Sequence, residues 1–221
     1  MKIKKPISAL VLGSMLVGLS GCNITDFSAE NLLRPPKAVG DEAEIEQLIA
    51  KTADSGYTLK YPKNGKFRSA IIMTDLDGND SNEAVAFFRN SAETSSVHML
   101  VMYSKDNSWE IASDNIFETT DIDSVDFADL TGNGKAEIIV NSTTYTPNVG
   151  KLSCYSYSEG KTNEVGSGQS CSSFVTGDFD NDGTSEIMSL VLYTTENEAL
   201  ASMLDYNEDS KSLYAKAMAN M

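Results

Sequence analysis

The chain has 221 residues and a formal net charge of −15 at pH 7. Its length suits one medium-sized domain. The acidic balance excludes a typical nucleic-acid-binding protein, which needs positive charge to neutralise phosphates, and it argues against electrostatic adhesion to anionic lipid.

The start of the chain has the parts of an export signal. Three lysines precede an apolar run over residues 9–19, which is too short and wrongly flanked to span a membrane as a helix. The segment LSGC, which ends at Cys22, resembles the bacterial lipobox. By that resemblance, residues 1–21 form a lipoprotein signal peptide, and acylated Cys22 anchors the protein in the lipid bilayer, at the extracytoplasmic face of a bacterial cell membrane. The alternative is an ordinary signal peptide in which the cysteine stands by chance.

The next segment predicts a tether followed by a helix and a strand. Residues 22–40 lack a periodic apolar pattern and contain two consecutive prolines, as expected of a tether. Ile45, Leu48 and Ile49 then recur at helical spacing within residues 41–53 and predict one short amphipathic helix there. The run YTLKYP predicts a strand, so residues 41–65 are expected to hold a helix and a strand that pack on the remaining domain.

Three acidic loops recur along the rest of the chain: DLDGNDSNE at 75–83, DLTGNGKAE at 129–137 and DFDNDGTSE at 178–186. Each loop follows a short apolar strand and precedes a β-prone run. A tyrosine also stands 28 residues after each leading aspartate, at the end of an apolar or alternating run. The loops therefore belong to a repeat with periods of 54 and 49 residues. The aspartate–tyrosine pairs are Asp75 with Tyr103, Asp129 with Tyr157, and Asp178 with Tyr206.

Within one period the sequence predicts four strands, with the acidic loop joining the first two. Such units in series are typical of propeller blades, each of which needs a neighbour to cover its faces. We therefore predict an all-β, β-propeller-like fold of three four-stranded blades with one short N-terminal helix. The blades are predicted at about 66–118, 119–169 and 170–221, and the strands of the first copy at about 69–75, 83–89, 97–104 and 108–113.

Three blades are fewer than a closed propeller usually has, since propellers typically contain about four to eight. The sequence therefore predicts either a truncated propeller or an open arc. An uncovered blade face and edge favour association with another surface. We expect truncation or self-association in preference to a monomeric three-blade disc.

The pattern D-x-D-G-N-x-x-x-E within such a unit resembles the FG-GAP and VCBS repeats, which occur in integrin α-subunit propellers and in many bacterial surface proteins. The resemblance covers about residues 66–217, and it implies that the loop between the first two strands of a blade binds Ca²⁺. Ca²⁺ takes six to eight oxygen ligands, and the resemblance places five at alternate loop positions, the fourth being a backbone carbonyl. These are Asp178, Asp180, Asp182, Thr184 and Glu186 in the third loop; Asp75, Asp77, Asn79, Ser81 and Glu83 in the first; and Asp129, Thr131, Asn133, Lys135 and Glu137 in the second.

The three loops differ in ligand charge. Because Ca²⁺ affinity rises with ligand charge and with the rigidity of the site, we predict the order third, first, second. The second loop has two carboxylates and a lysine, so it is the weakest candidate. In the first loop, Asp80 stands where glycine is usual, which predicts strain in the turn. The alternative is that all three loops are polar hairpin turns that bind no metal.

Two further cysteines, Cys154 and Cys171, stand in the part of the chain predicted to be exported, where a disulfide is permitted. Cys154 lies in a strand-like run, and sequence alone does not give the geometry that a disulfide requires. Two interpretations stay open: the cysteines pair, or both are buried small apolar residues.

The sequence predicts a binding protein and not an enzyme. The single histidine, His98, stands in a strand-like run, where a structural role is expected. No nucleophile-elbow sequence or phosphate-cradling glycine loop is present, and repeated acidic loops fit metal binding better than one active centre. We predict a Ca²⁺-stabilised, membrane-anchored recognition or scaffold protein that binds a protein or a glycan. The alternatives are a carbohydrate-active hydrolase or accessory protein of the cell envelope, and a purely structural role in envelope assembly.

Overall fold

A computed structural model of the protein describes residues 40–54, 56–146, 148–193 and 198–220. The predicted signal peptide, Cys22 and the predicted tether up to residue 39 lie outside the described residues. Over the described ranges, no helix is long and apolar enough to cross a membrane. The same ranges contain one helix and thirteen strands, which confirms the prediction of an all-β chain with one short N-terminal helix.

Three antiparallel sheets follow one another in chain order within the described part of the chain. The first holds β1 (Tyr57–Leu59), β2 (Ile71–Thr74), β3 (Glu83–Asn90), β4 (Val97–Lys105) and β5 (Ser108–Phe117). The second holds β6 (Ile122–Ala128), β7 (Glu137–Thr143), β8 (Gly150–Ser158) and β9 (Lys161–Cys171). The third holds β10 (Ser173–Gly177), β11 (Glu186–Tyr193), β12 (Glu198–Asn207) and β13 (Ser212–Asn220).

The strands predicted for the first repeat are found as β2 to β5. The last of them runs on to Phe117 instead of ending near residue 113, because the antiparallel ladder with β4 continues as far as the pair Val97 and Phe117. The short strand β1 lies end to end with β2 along one edge of β3, so the first sheet has five strands.

The helix, α1 (Asp41–Ala53), covers one face of the first sheet. Ile45 and Ile49 are fully buried and pack with Phe88 and Leu100 of that sheet. Acidic residues occupy the first turn, where they favour the positive end of the helix dipole. Since burying one isoleucine side chain contributes about 1.5–3 kcal/mol, the apolar face of α1 stabilises the packing of the helix on the sheet.

The sheets stack face to face in chain order, with an apolar layer between each pair. Ile138 and Ile139 are adjacent on β7, and both are fully buried. Ile138 packs in the layer toward the first sheet and Ile139 in the layer toward the third, because successive strand residues point to opposite faces. The second sheet is therefore covered on both faces, which explains why β7 is buried almost along its whole length.

The far face of the third sheet has no covering layer among the described residues. The residue ten positions after the leading aspartate is Val85 in the first sheet, Ile139 in the second and Met188 in the third. Val85 and Ile139 are fully buried, whereas Met188 is partly exposed. On the same face, Val175 is 57% exposed and Leu192 is 41% exposed. The same repeat position is thus buried in the first and second sheets but partly exposed to solvent in the third.

Candidate metal sites

The three acidic loops connect the first two strands of each repeat: β2 with β3, β6 with β7, and β10 with β11. In all three cases the flanking strands are antiparallel neighbours, so each loop is the tip of a hairpin. The strand residues that pair beside the loops are Thr74 with Glu83, Ala128 with Glu137, and Gly177 with Glu186.

The loops are joined to one another in a row. The backbone N–H of Ala136 in the second loop donates to the carbonyl of Leu76 in the first at 3.0 Å. In the same manner, the N–H of Ser185 in the third loop donates to the carbonyl of Asp129 in the second at 2.9 Å. Both donors stand directly before the closing glutamate of their loop. The stacking of the sheets therefore places the three loops side by side.

The leading aspartate of each loop organises the turn behind it. The carboxylate of Asp75 accepts hydrogen bonds from the backbone N–H groups of Gly78, Asn79 and Asp80 at 2.7, 3.2 and 2.9 Å. Burial would raise the pKa of Asp75, but these hydrogen bonds outweigh it and hold the pKa below its usual value. The other two leading aspartates accept from two backbone N–H groups each. Each turn is thus built around a carboxylate.

The fifth residue of each loop closes a small turn with its side chain. Its side-chain oxygen accepts a hydrogen bond from the backbone N–H two residues later, at 2.7–2.8 Å. These donors are the residues that were predicted to offer backbone carbonyls to a metal, so that part of the loop is held in place. The acceptor and donor pairs are Asn79 with Ser81, Asn133 with Lys135, and Asp182 with Thr184.

The closing glutamate of each loop lies inside the protein. Glu83, Glu137 and Glu186 are 3%, 0% and 0% exposed. In each, Oε2 accepts a hydrogen bond of 2.8 Å from the backbone N–H that follows the leading aspartate, which ties the two ends of the loop together. Burial raises the pKa of Glu83 above its usual value and the pKa of Glu137 to about 7.

Two of the loops bring three or more carboxylates together. In each, one oxygen per carboxylate lies within 4.8 Å of the others. Ligands on opposite sides of Ca²⁺ are about 5 Å apart, because each Ca–O distance is about 2.3–2.6 Å. The groups could therefore surround one such cation. Their members are Asp178, Asp180, Asp182 and Glu186 in the third loop, and Asp75, Asp77 and Glu83 in the first.

Each of these two groups contains a buried oxygen that has no hydrogen-bond partner among the residues that the structure describes. The atoms are Oε1 of Glu186 and Oδ1 of Asp77. Leaving a buried acceptor unpaired costs about 1–3 kcal/mol, and more for a charged group. A cation placed among the carboxylates would remove that cost. The unpaired oxygen of Glu186 is the stronger indication of a cation site, because the whole side chain of Glu186 is buried.

The second loop has no such opening. Oε2 of Glu137 accepts from the backbone N–H groups of Leu130 and Thr131, and Oε1 accepts from the Thr131 hydroxyl at 3.3 Å. Thr131 stands where the first and third loops have an aspartate. Both oxygens of Glu137 are therefore satisfied by the loop itself, and a cation would find two carboxylates instead of three or four.

The strain predicted at Asp80 is present in the backbone. Asp80 has a φ of +65°, while the matching residues Gly134 and Gly183 have φ values of +80° and +95°. All three positions therefore need the left-handed region, which glycine enters freely and aspartate enters more readily than most other residues. The first loop accepts this turn with a side chain in place, at a cost of order 1 kcal/mol.

A lysine that no sequence pattern indicates contacts the third loop. Lys216 on β13 forms ion pairs with Asp180 and with Asp205, the latter at 2.8 Å. Hydrogen bonds to these two carboxylates raise the pKa of Lys216 above its usual value. Lys216 stands 36 residues after Asp180, and it is the residue skipped by a register shift in the ladder between β12 and β13. No local motif could have identified this contact.

The histidine and the two cysteines have structural surroundings. Nδ1 of His98 lies 2.9 Å from both carboxylate oxygens of Asp114, and its ring stacks on Phe88 with centroids 4.8 Å apart. Cys154 and Cys171 are both fully buried and not bonded to each other, which agrees with the interpretation of buried apolar residues. These residues are therefore parts of the packed sheets.

Comparison of the chain with models of known protein families finds no match, and comparison with curated proteins finds none either. The geometry of the loops is therefore the basis for a functional conclusion.

Proposed function

We propose that the protein is a Ca²⁺-stabilised, membrane-anchored recognition or scaffold protein that acts by binding and not by catalysis. The observation that carries the metal part is the third loop: four carboxylates converge there, and the buried Oε1 of Glu186 has no hydrogen-bond partner. The ligand groups are all oxygens, which are the ligands that Ca²⁺ prefers. Repetition of the arrangement in a second loop supports a structural ion in preference to a single reaction centre.

In this proposal, Ca²⁺ is held most tightly by the third loop, then by the first, and least by the second. Ligand charge supports that order, and so does the pattern of unpaired oxygens, since Glu137 of the second loop already has partners for both of its oxygens. The bound ion would supply positive charge between the carboxylates. Asp178 and Asp75 already hold their turns through backbone hydrogen bonds, so little reorganisation is needed.

We further propose that the three repeats are FG-GAP- or VCBS-type blades of a propeller-like arc. The first strands of the second and third sheets, β6 and β10, contact each other. The last strands also contact one another, β5 with β9 and β9 with β13. The second and third sheets are therefore neighbours along both edges, and the first and second sheets are neighbours along their last strands, which supports an arrangement of successive blades. Helix α1 covers the first blade, and the open face of the third supports self-association.

The proposed anchor is a lipid on Cys22, with the protein at the extracytoplasmic face of a bacterial cell membrane. Several acyl chains on one residue give durable binding, because each buried CH₂ contributes about 0.8 kcal/mol. Metabolic labelling with a palmitate analogue tests this directly. The parent protein should be labelled and fractionate with membranes, whereas Cys22→Ser should lose both properties. A parent protein that is released without lipid would contradict the anchor.

The metal proposal is tested by calorimetric titration of the calcium-free protein with CaCl₂. Removing one carboxylate from the third loop with Asp180→Ala should abolish the tightest binding event, and Asp77→Ala should remove a weaker one. Thr131→Ala in the second loop is the matched control, and it should leave both events unchanged. Tight binding that persists unaltered in the Asp180→Ala protein would overturn the proposed order of the loops.

A further inference from the structure

A pocket lies at the end of the second sheet that is opposite to its acidic loop. Its volume is about 540 Å³, within the range of roughly 300–1,000 Å³ that is usual for small-ligand sites. The start of β6, the end of β7 and the start of β10 form its walls, through Asp123, Thr143 and Ser173. Hydroxyl, amide and carboxylate groups dominate this lining.

The repeat shows that the second sheet departs from its neighbours at this wall. Strand pairing places Asn141, Phe87 and Leu190 at the same position of the three sheets. In each sheet, the residue four positions before the leading aspartate pairs with a residue of the next strand, and the named residue directly follows that partner. Phe87 is fully buried in the apolar core. The next two residues are Ser-Thr in the second sheet, but Phe-Arg in the first and Val-Leu in the third. Among the three sheets described, the second alone carries amide and hydroxyl groups here.

Asn141 is buried at a cost. It is 1% exposed, its Nδ2 donates to Oδ2 of Asp123 at 3.4 Å, and its Oδ1 has no hydrogen-bond partner. An apolar side chain, as at the matching positions of the other sheets, would avoid the unpaired oxygen and stabilise the fold. The amide is kept nonetheless, and it contacts the carboxylate that lines the pocket. This arrangement is typical of a residue that positions another group.

The lining is suited to sugar hydroxyl groups. Three donors hold the carboxylate of Asp123: Oδ1 accepts from Nδ2 of Asn64 at 2.9 Å, and Oδ2 accepts from the Ser124 hydroxyl at 3.1 Å and from Nδ2 of Asn141. Thr143 and Ser172 add hydroxyl groups, and half-buried Val149 adds an apolar surface. A fixed carboxylate, amides and hydroxyls beside a small apolar patch match a ligand that presents many donors and acceptors on an apolar ring.

We propose that this pocket binds an uncharged saccharide. Asp123 accepts hydrogen bonds from sugar hydroxyls, and Asn141 acts as its positioning residue. An anion is disfavoured by Asp123 and by the net charge of −15. A metal ion is disfavoured because Asp123 is the single carboxylate of the described lining. The cationic group of the lining, Lys63, is paired with Asp121.

The inference rests on the proposed recognition role but not on the proposed Ca²⁺ sites, which belong to loops at the other end of the sheet. The two can therefore fail separately. If the protein binds saccharide but no Ca²⁺, the metal proposal fails and the pocket remains. If it binds Ca²⁺ but no saccharide, the pocket proposal fails.

The test is saturation-transfer NMR with cellobiose, maltose and N,N′-diacetylchitobiose, followed by titration of the disaccharide that gives the strongest signal. The parent protein should bind at least one of them. Asn141→Leu, which installs the residue of the third sheet, should weaken binding by about tenfold or more, the loss expected for a misplaced charge-assisted hydrogen bond. Its melting temperature should be equal to or above that of the parent, a result that a merely structural role for Asn141 would not produce.

A second variant keeps the test decisive if Asn141→Leu does not fold. Asp123→Asn preserves the shape of the side chain and should weaken disaccharide binding to a similar extent. Asp106→Asn, in the exposed turn between β4 and β5, makes the same chemical change away from the pocket and is the control that should bind disaccharide like the parent. The proposal would be overturned if the parent bound none of the three disaccharides. Unchanged binding by Asp123→Asn would overturn it as well.

Discussion

The backbone N–H of Phe179 donates a hydrogen bond of 2.8 Å to Oε2 of Glu186, while Oε1 of the same buried carboxylate has no partner. The first contact recurs in all three loops, where it ties the start of the loop to the following strand. The second feature does not recur in the second loop, because Thr131 donates to Oε1 of Glu137. One oxygen of Glu186 is thus used in the fold, and the other could bind a cation.

Glu186→Gln should separate these two roles. The amide oxygen can still accept from Phe179, so the melting temperature in EDTA should change by only a few degrees. The stabilisation added by Ca²⁺ should fall, by up to about 2.7 kcal/mol if Ca²⁺ is present at a hundred times its Kd. Differential scanning calorimetry in EDTA and in CaCl₂ measures both effects. Glu137→Gln is the control that should keep the Ca²⁺-dependent gain, and an undiminished gain in Glu186→Gln would contradict the prediction.

Lys216→Met should strengthen Ca²⁺ binding at the third loop. The lysine is paired with Asp180 and must be displaced, or its charge opposed, when a divalent cation enters. Because surface ion pairs are weak and screened by water, we expect the Kd to fall only about two- to fivefold. Calorimetric titration at low ionic strength measures the change. Lys211→Met removes the same charge from the exposed turn before β13 and should have little effect. Weaker binding by Lys216→Met would show that the lysine supports the site.

The buried carboxyl group of Glu137 should make the free energy of unfolding depend on pH. Its pKa is raised from 4.5 to about 7 by burial, so the folded state keeps a proton that the unfolded state releases between these values. The stability that the protonated Glu137 carboxyl contributes to the folded state is fully present below pH 4.5, and it is lost as pH rises through about 7. Glu137→Gln should therefore gain stability relative to the parent as pH rises, by roughly 1–3 kcal/mol after allowance for solvent screening in the loop. Urea unfolding in EDTA at pH 4.5, 6 and 7.5 measures the difference in unfolding free energy between Glu137→Gln and the parent. This difference should increase with pH in favour of the variant.

The two buried thiols should be unreactive in the folded protein. Burial raises the pKa of Cys171 to about 12 and that of Cys154 further still, so neither forms a thiolate at ordinary pH. In a Cys22→Ser protein, Ellman's reagent at pH 8 should label neither thiol within minutes, and it should label both after unfolding in guanidinium. Failure to label the unfolded, unreduced protein would instead reveal a disulfide.

The open face of the third sheet should mediate self-association. Placing a charge there with Val175→Lys should shift the protein toward monomer in sedimentation equilibrium, because a buried unpaired charge is costly. Ile116→Lys is a matched control, since both side chains are 57% exposed but Ile116 lies on the first sheet. An equal shift in both variants would mean that charge in general, and not this face, prevents association.

Local patterns explain what could be predicted from the sequence. Helix α1 was predicted with the bounds that it has, because Ile45 and Ile49 repeat at the helical period and bury on one face. The tyrosines at a constant offset identified the repeat, and alternating acidic residues identified the loops. These features depend on neighbours within a few residues, or on copies of one pattern, and both can be seen along a chain.

Tertiary packing determines which carboxylate oxygens of the three acidic loops lack a hydrogen-bond partner among the described residues. The three loops look alike in sequence, yet the burial of Glu186 and the satisfaction of Glu137 depend on side chains that pack around them. The same holds for Lys216, which reaches Asp180 from the last strand, and for Asn141, whose burial depends on the stacking of the second sheet. Hydrogen bonding and desolvation act between groups that are close in space. The repeat is therefore visible along the chain, whereas the hydrogen-bond partners of each loop follow from the packing of distant strands.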